Sequence, residues 1–171
     1  IVTFVHWVVW RVLDNYWPLI GHSRTVAFGL IIALSFSFLV SNVLTRFFPG
    51  DVTRTMYFYA AMWLGTVHLL FLSAVLLSFI SLVVDSFGGT VSPWIAFLFF
   101  MVALGLNGFA LWSGFQVHPK HVAVALPNLP DHWVGKKIAF FADSHFGNIH
   151  RERTARDIAG LIANEDPALV L

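Results

Sequence analysis

Long runs without charged residues dominate residues 1–117. Three of these runs are long enough for a helix that crosses a bilayer, since about 20 apolar residues span roughly 30 Å of hydrocarbon. Their apolar residues occur on all sides rather than along one stripe, which is typical of a helix surrounded by lipid. Because a helix satisfies its own backbone in lipid, the pattern predicts spanning helices over about 26–45, 57–84 and 93–115.

A shorter apolar run precedes them. Residues 1–13 contain Arg11 and are interpreted as the tail of a first span whose beginning is missing, with an interfacial helix as the alternative. The membrane region 1–117 is therefore expected to form an α-helical bundle of about four helices. Aromatic residues near the ends of the runs are candidate anchors at the membrane–water interface. They are Trp7, Trp10, Tyr16, Trp17, Tyr57, Tyr59, Trp94 and Trp112.

The pattern changes after Lys120. Alternating apolar positions at 122, 124 and 126 predict a strand that Pro127 ends. The run KIAFFA, residues 137–142, is apolar without alternation, which predicts a strand covered on both faces. A one-sided apolar face over 151–164 (Ala155, Ile158, Ala159 and Ile162) predicts a helix, and residues 168–171 begin another apolar run. The order predicts a βαβ unit with parallel strands.

The charges support this division into a membrane region, 1–117, and an α/β region, 118–171. Of the nineteen Asp, Glu, Lys and Arg residues, seven lie in the first region and twelve in the second. The net charge of +1 and the lack of a basic face argue against a nucleic-acid partner. The absence of Cys excludes disulfides and thiolate metal sites. The pattern does not indicate an oligomeric state.

The distribution of Lys and Arg gives a weak indication of orientation. With four spans, Arg46, Arg54 and the tail from Lys120 share one side of the membrane, against Arg11 and Arg24 on the other. The positive-inside rule then favours a cytoplasmic tail on an integral protein of the plasma (inner) membrane.

His68 lies in the middle of a predicted span, where an ionisable group is by default a functional hypothesis. No acidic residue lies in another span to form a proton relay. A neutral His68 bonded to a neighbouring helix is therefore the favoured interpretation. The spans also lack matched Gly- or Pro-broken half-helices, so the transporter pattern is absent.

Asp143 and His145 are the candidate chemical site. They follow the strand KIAFFA directly, where α/β sheets bind their ligands. Residues two apart in an extended chain project to the same side. A carboxylate oxygen with an imidazole nitrogen suits Mn, Fe or Zn. The alternative is an Asp that caps a turn beside a surface His. The strand before, Gly147 after and the following helix favour the metal site.

The remaining basic residues are interpreted without a role in chemistry. His150 lies near the proposed metal loop but is taken as a solvated loop residue. His118 and His121 flank Lys120 just after the last span, as interfacial residues do. Arg151, Arg153 and Arg156 alternate with acidic residues and are taken as a solvated helix face. His132 belongs to a turn.

The stretch GKKIAFFADSHFGNIHRERTARDIAGLIANEDPALVL, residues 135–171, resembles the opening of the calcineurin-like metallophosphoesterases. That family has an αββα sandwich whose first strand ends in Asp-x-His. The resemblance is close over 121–171, where the edge strand and turn also match members that follow membrane helices. It is only architectural over 1–117. Ser144 stands where the commoner form has Leu, at a position that is not a ligand.

The resemblance implies that Asp143 and His145 bind one metal of a dinuclear centre of Mn, Fe or Zn. The family's other ligands lie in a later Gly-Asp-x-x-Asp motif, an Asn-His pair and further histidines. We therefore expect an N-terminal fragment, inactive alone, of a membrane-anchored phosphoesterase. Its partners are the lipid bilayer and a phosphoester substrate, for which the anchor makes a lipid-linked ester attractive. The alternative is a non-enzymatic integral membrane protein whose helical bundle is the functional part.

Overall fold

The computed structural model describes residues 1–142, 147, 149 and 152–171. The chain divides into two compact units, Ile1–Ser113 and Gly114–Leu171. The division lies within a few residues of the boundary that the charge distribution predicts. Each unit has its own architecture and is described by itself.

The first unit consists of four helices. Three of them are long and apolar enough to cross a membrane, and they contain the predicted spans apart from the last residue, 115. The second and third helices begin before the predicted spans because their first turns carry polar residues, which an apolar run does not include. The helices are α1 (Val2–Tyr16), α2 (Gly21–Phe47), α3 (Asp51–Ser86) and α4 (Pro93–Gly114).

α1 packs against α2 and α3. Its 15 residues make a helix of about 22 Å, shorter than the roughly 30 Å of hydrocarbon. The helix predicted over 1–13 is thus present and continues to Tyr16. That it belongs to a fourth span stays a prediction.

The end of α3 shows how the chain reverses between helices. Gly88 adopts a φ of 76°, which a residue with a Cβ rarely adopts. The N–H groups of Gly88 and Gly89 donate to the carbonyls of Asp85 and Val84 at 2.9 and 3.0 Å. These bonds satisfy carbonyls that the helix end leaves without partners. Pro93 then begins α4, where its missing N–H costs nothing.

A small apolar core joins α1, α3 and α4. Small residues, Ala74 and Ala96, occupy fully buried positions beside Leu77 and Phe100. Small residues at helix contacts are typical of membrane bundles. Most other large apolar side chains of this unit are exposed, which suits helices whose surroundings are hydrocarbon.

The second unit contains the predicted strand–helix–strand order. β1 (Ile138–Ala139) pairs in parallel with β2 (Leu169–Val170), and α5 (Glu152–Glu165) connects them. Asp166 ends the helix region with a φ of 44° before Pro167, a left-handed conformation that Asp tolerates. A 3-10 turn over Asp131–Trp133 precedes β1. The βαβ prediction is confirmed.

Two details of the α/β prediction are wrong. Residues 121–126 form no strand, and Val122 and Val124 are each 69% exposed. Alternation predicts which side chains share a face, but a strand also needs a partner for its backbone. The second error concerns KIAFFA, which is not covered on both faces, since Ile138 is 52% and Phe140 75% exposed. A single helix and two strands supply too little surface to cover both faces of a sheet.

Candidate metal site at the end of the first strand

The backbone ladder between β1 and β2 extends towards the candidate site. Ala168 N–H donates to the Lys137 carbonyl at 2.9 Å, and Leu171 N–H donates to the Ala139 carbonyl at 2.8 Å. Phe141 N–H then donates to the Leu171 carbonyl at 3.1 Å. The paired backbone therefore continues to Phe141, two positions before Asp143 in the sequence.

Asp143 and His145 themselves lie outside the described residues. Whether their side chains converge on one point therefore stays a prediction. His150 and Arg151 also lie outside the described residues. Within the described residues, no group of three or more His, Asp or Glu side chains is arranged to hold a metal ion.

The proposed donors are chemically suited to a transition metal. Carboxylate oxygen and imidazole nitrogen are ligands of Zn, Mn and Fe. The described residues contribute the strand end that leads into this segment and the helix that follows it. The fit to a metal thus depends on the donor chemistry of Asp143 and His145 and on their place after β1.

A polar cluster lies at the opposite end of β1. The Lys137 ammonium donates to the Glu165 carboxylate at 2.9 Å and to the Glu165 backbone carbonyl at 3.1 Å. His121 Nε2 lies 3.4 Å from the other carboxylate oxygen of Glu165. A cation at a helix C-terminus also interacts favourably with the helix dipole. The cluster ties the residue before β1 to the last residue of α5.

The same contacts lower the pKa of the Glu165 carboxyl below its ordinary value of 4.5. The hydrogen bond from Lys137 is the main cause, and partial removal from water acts in the opposite direction. Electrostatic interactions with His121 and Lys137 are weaker and also lower this pKa. The Glu165 side chain is 29% exposed, so water partly screens these interactions. The cluster therefore holds the residue before β1 against the end of α5 and is not a reactive centre.

Sequence reasoning missed this cluster. The sequence predicts an interfacial His121 and does not indicate its contact with Glu165. Lys137 and Glu165 are 28 positions apart, and no local spacing joins residues that far apart. The contact follows from the parallel pairing, which brings the start of β1 beside the residues that precede β2.

The other candidate residues of the second unit behave as expected of solvated side chains. His132 is exposed, with its ring centroid 5.9 Å from that of Trp133. Arg156 lies 3.4 Å from Glu152, one turn away on α5, which confirms the charged helix face. Arg153 and His118 are exposed.

His68 differs from its prediction. Its side chain is exposed on α3, and Nδ1 donates to the Leu64 carbonyl of the same helix at 2.6 Å. The prediction of a hydrogen bond to a neighbouring helix is therefore wrong. The backbone carbonyl four residues earlier in the same helix lies within reach of a histidine ring, whereas an acceptor on a neighbouring helix must be placed there by packing. Asn107 does bond across helices, since it donates to Thr66 at 3.0 Å.

His6 is a buried polar residue that sequence reasoning missed. It is 3% exposed. Trp63 Nε1–H on α3 donates to His6 Nε2 at 2.8 Å, and His6 Nδ1 lies 2.9 Å from the Val2 carbonyl. Because indole can only donate and a carbonyl can only accept, His6 is neutral with its proton on Nδ1. The hydrogen bond between His6 and Trp63 therefore links α1 to α3.

Comparison with known proteins identifies no relative. No family model, no curated protein and no solved structure matches the chain. The function is therefore argued from the chain's own residues and from the βαβ frame described above.

Proposed function

We propose that this chain forms the membrane-anchored N-terminal part of a metal-dependent phosphoesterase with a dinuclear metal centre. The observation that carries the proposal is the parallel pairing of β1 and β2 around α5. The segment that starts at Asp143 follows the carboxyl end of β1. Parallel α/β sheets bind their ligands at that end.

In this proposal, Asp143 and His145 would hold the metal centre. The Asp143 carboxylate is an anionic oxygen donor, and His145 coordinates through a neutral ring nitrogen. When bound, two divalent ions of Mn, Fe or Zn supply charge stabilisation to the phosphate oxygens and acidify the attacking water. Because His145 must lose its proton to coordinate, metal affinity falls as the solution becomes more acidic.

The resemblance also implies ligands in Gly-Asp-x-x-Asp and Asn-His motifs, which do not occur among these 171 residues. Turnover therefore requires a polypeptide that carries them, and the 171-residue chain alone should hydrolyse no phosphoester. The substrate class is a phosphate ester. A lipid-linked ester is the first to assay, because the three apolar helices suit attachment to a bilayer.

The test is the metal content of the protein that carries these further motifs, purified and measured by elemental mass spectrometry. We expect bound Mn, Fe or Zn, and a loss of metal and of phosphoesterase activity in Asp143→Ala and His145→Ala. Asp157→Ala and His132→Ala are matched controls, because they remove the same side chains from exposed positions on α5 and on the 3-10 turn. Both controls should keep their metal.

Two results would overturn the proposal. One is a protein that takes up no transition metal. The other is full metal content in both Asp143→Ala and His145→Ala. Either result would favour the alternative, in which the helical bundle is the functional part.

A further inference from the structure

The polar contacts that hold α1 in the bundle are unevenly placed along the helix. Among the described residues, three side-chain hydrogen bonds link α1 to other helices. Two of them lie near its C-terminal end, where Tyr16 bonds to α3 at 2.7 Å and Asp14 bonds to α2 at 3.0 Å. Besides its apolar packing, the N-terminal half of α1 therefore depends on one polar contact, the bond between His6 and Trp63.

This contact uses the one lone pair that a neutral histidine ring offers. Nε2 of His6 accepts the indole N–H of Trp63 at 2.8 Å, and Nδ1 is engaged with the Val2 carbonyl at 2.9 Å. A proton on Nε2 would occupy the same lone pair and would set one N–H group against another, since an indole can only donate. Trp63 and a proton therefore compete for a single atom of His6.

The surroundings of His6 offer no compensation for a positive charge. The ring is 3% exposed, and burial of a charge without a partner is costly. Among the described residues, only Trp63 and Val2 form hydrogen bonds with it, and none forms an ion pair. α4 has no titratable residue. Titratable or charged residues nearby along the packed helices are Arg11 and Asp14 on α1, Arg24 on α2, and Tyr59 and His68 on α3. Asp14 and Arg24 pair with each other, and the other three are exposed.

We propose that the His6–Trp63 contact is a pH-sensitive switch, in which proton uptake by His6 releases the N-terminal half of α1 from α3 while the C-terminal end of α1 stays attached. The attached form has no free lone pair for the proton, whereas a released imidazole accepts one. Acid therefore favours release, and the contact is intact above the ordinary titration of imidazole at about pH 6.5. Between about pH 7.5 and about pH 5.5, the ratio of released to attached chains should rise about tenfold. The proposal is independent of the phosphoesterase proposal, because it concerns only the helical unit.

The experiment measures release through the reactivity of a buried thiol. The chain contains no Cys, so one introduced thiol is the only one present. Val5 lies in the apolar core and is 5% exposed, and Val5→Cys should react with N-ethylmaleimide only when α1 is released. The whole 171-residue chain is labelled in detergent micelles at low reagent concentration. Each rate is divided by that of Thr3→Cys, an exposed position on the same helix, which cancels the effect of pH on the thiol. We expect this corrected rate to rise about tenfold between about pH 7.5 and about pH 5.5.

Two replacements of His6, made together with Val5→Cys, separate titration from packing. His6→Gln keeps an oxygen that can accept the indole N–H but does not titrate, so the corrected rate should be the same at both pH values. His6→Phe removes the acceptor and should give a higher corrected rate that is also independent of pH. His68→Gln is the matched control, because it removes an exposed histidine of α3, and it should keep the full rise in acid.

A second thiol position distinguishes movement of α1 from loosening of the whole bundle. Ser41 on α2 is 1% exposed, and Ser41→Cys changes one atom. It lies about 30 Å from the start of α2, whereas α1 is only about 22 Å long. The corrected rate of Ser41→Cys should therefore not rise in acid.

Any of three results would exclude the switch. A corrected rate of Val5→Cys that does not rise in acid would show that protonation does not release α1. An equal rise in His6→Gln, or loss of the rise in His68→Gln, would assign the pH dependence to another group. An equal rise in Ser41→Cys would show that acid loosens the bundle as a whole.

Discussion

The helical unit and the α/β unit both expose large apolar side chains, but the consequence differs between them. In the helical unit, α3 and α4 bury a joint core around Ala74, Leu77 and Phe100. In the α/β unit, none of the described residues is buried. In a bilayer, the exposed apolar surface on the first unit would face hydrocarbon at no cost. On Ile138 and Phe140 the same surface would face water.

This difference in burial leads us to expect a difference in stability between the two units. Helices in lipid satisfy their backbones individually and need only modest packing. A parallel sheet normally has several strands and helices on both faces. We therefore expect the helical unit to be firmly folded and the βαβ unit to be marginal unless further structure covers its strands.

Amide hydrogen exchange on the whole chain in detergent micelles should show the largest difference. Amides in the middle of α3 should exchange on the order of 10³-fold more slowly than the ladder amides of Phe141, Ala168 and Leu171, for a difference of about 4 kcal/mol in opening free energy. The amides of α5 provide an internal control. That helix belongs to the α/β unit, so its amides should exchange at rates closer to those of the ladder than to those of α3. Equal protection of α3 and the ladder would contradict the comparison.

Two leucines on α3 distinguish core packing from lipid contact. Leu77 is fully buried, whereas Leu72 is 61% exposed. Leu77→Ala should cost about 2 kcal/mol, at the low end of the range for soluble cores because lipid replaces the lost apolar surroundings. Leu72→Ala should stay within about 0.5 kcal/mol. The free energy of unfolding in mixed micelles measures both, and equal costs would show that α3 has no buried face.

The His6–Trp63 hydrogen bond tests how α1 is held. A double-mutant cycle with His6→Phe and Trp63→Phe should give a coupling of about 0.6–1.7 kcal/mol, as hydrogen bonds between membrane helices do. Each single variant also leaves one buried or partly buried polar group without its partner. Trp112→Phe, at a position that is 62% exposed, controls for the substitution itself. Strictly additive costs in the cycle would argue against the bond.

The smallest effect concerns Glu165. Because its pKa is lowered in the folded chain, its contribution to stability is present above the ordinary value of 4.5 and is lost as the pH falls through the lower folded value. Carboxyl NMR should show Glu165 titrating below 4.5 in the native chain and closer to 4.5 in Lys137→Met. Lys136→Met, the neighbouring exposed lysine, should leave the titration unchanged. An identical titration midpoint in the native chain and in Lys137→Met would show that Lys137 does not interact with the Glu165 carboxylate.

Particular residues show why some contacts follow from sequence and others do not. The spans follow because hydrophobicity over 20 or more residues is a local property, and the order β1, α5, β2 follows because periodicity is local too. Asn107 donates to Thr66 on another helix, and nothing local along the chain indicates which residue accepts. His68 is predicted to bond to a neighbouring helix and instead bonds to its own helix.

The candidate site could be predicted only in part. The sequence provides its residues, Asp143 and His145, and their place after a strand. The parallel pairing of β1 with β2 agrees with that place. The chemistry of the pair stays a proposal. The cluster of His121, Lys137 and Glu165 at the other end of the strand was not expected, because only the pairing of strands brings its members together.

The sequence by itself determined the three apolar helices and the strand–helix–strand order. Each of these depends on side-chain hydrophobicity and periodicity along a continuous stretch. Only the tertiary structure decided which faces are covered and which polar groups meet. Those outcomes depend on the shapes of surfaces from distant parts of the chain, and a linear pattern does not carry that information.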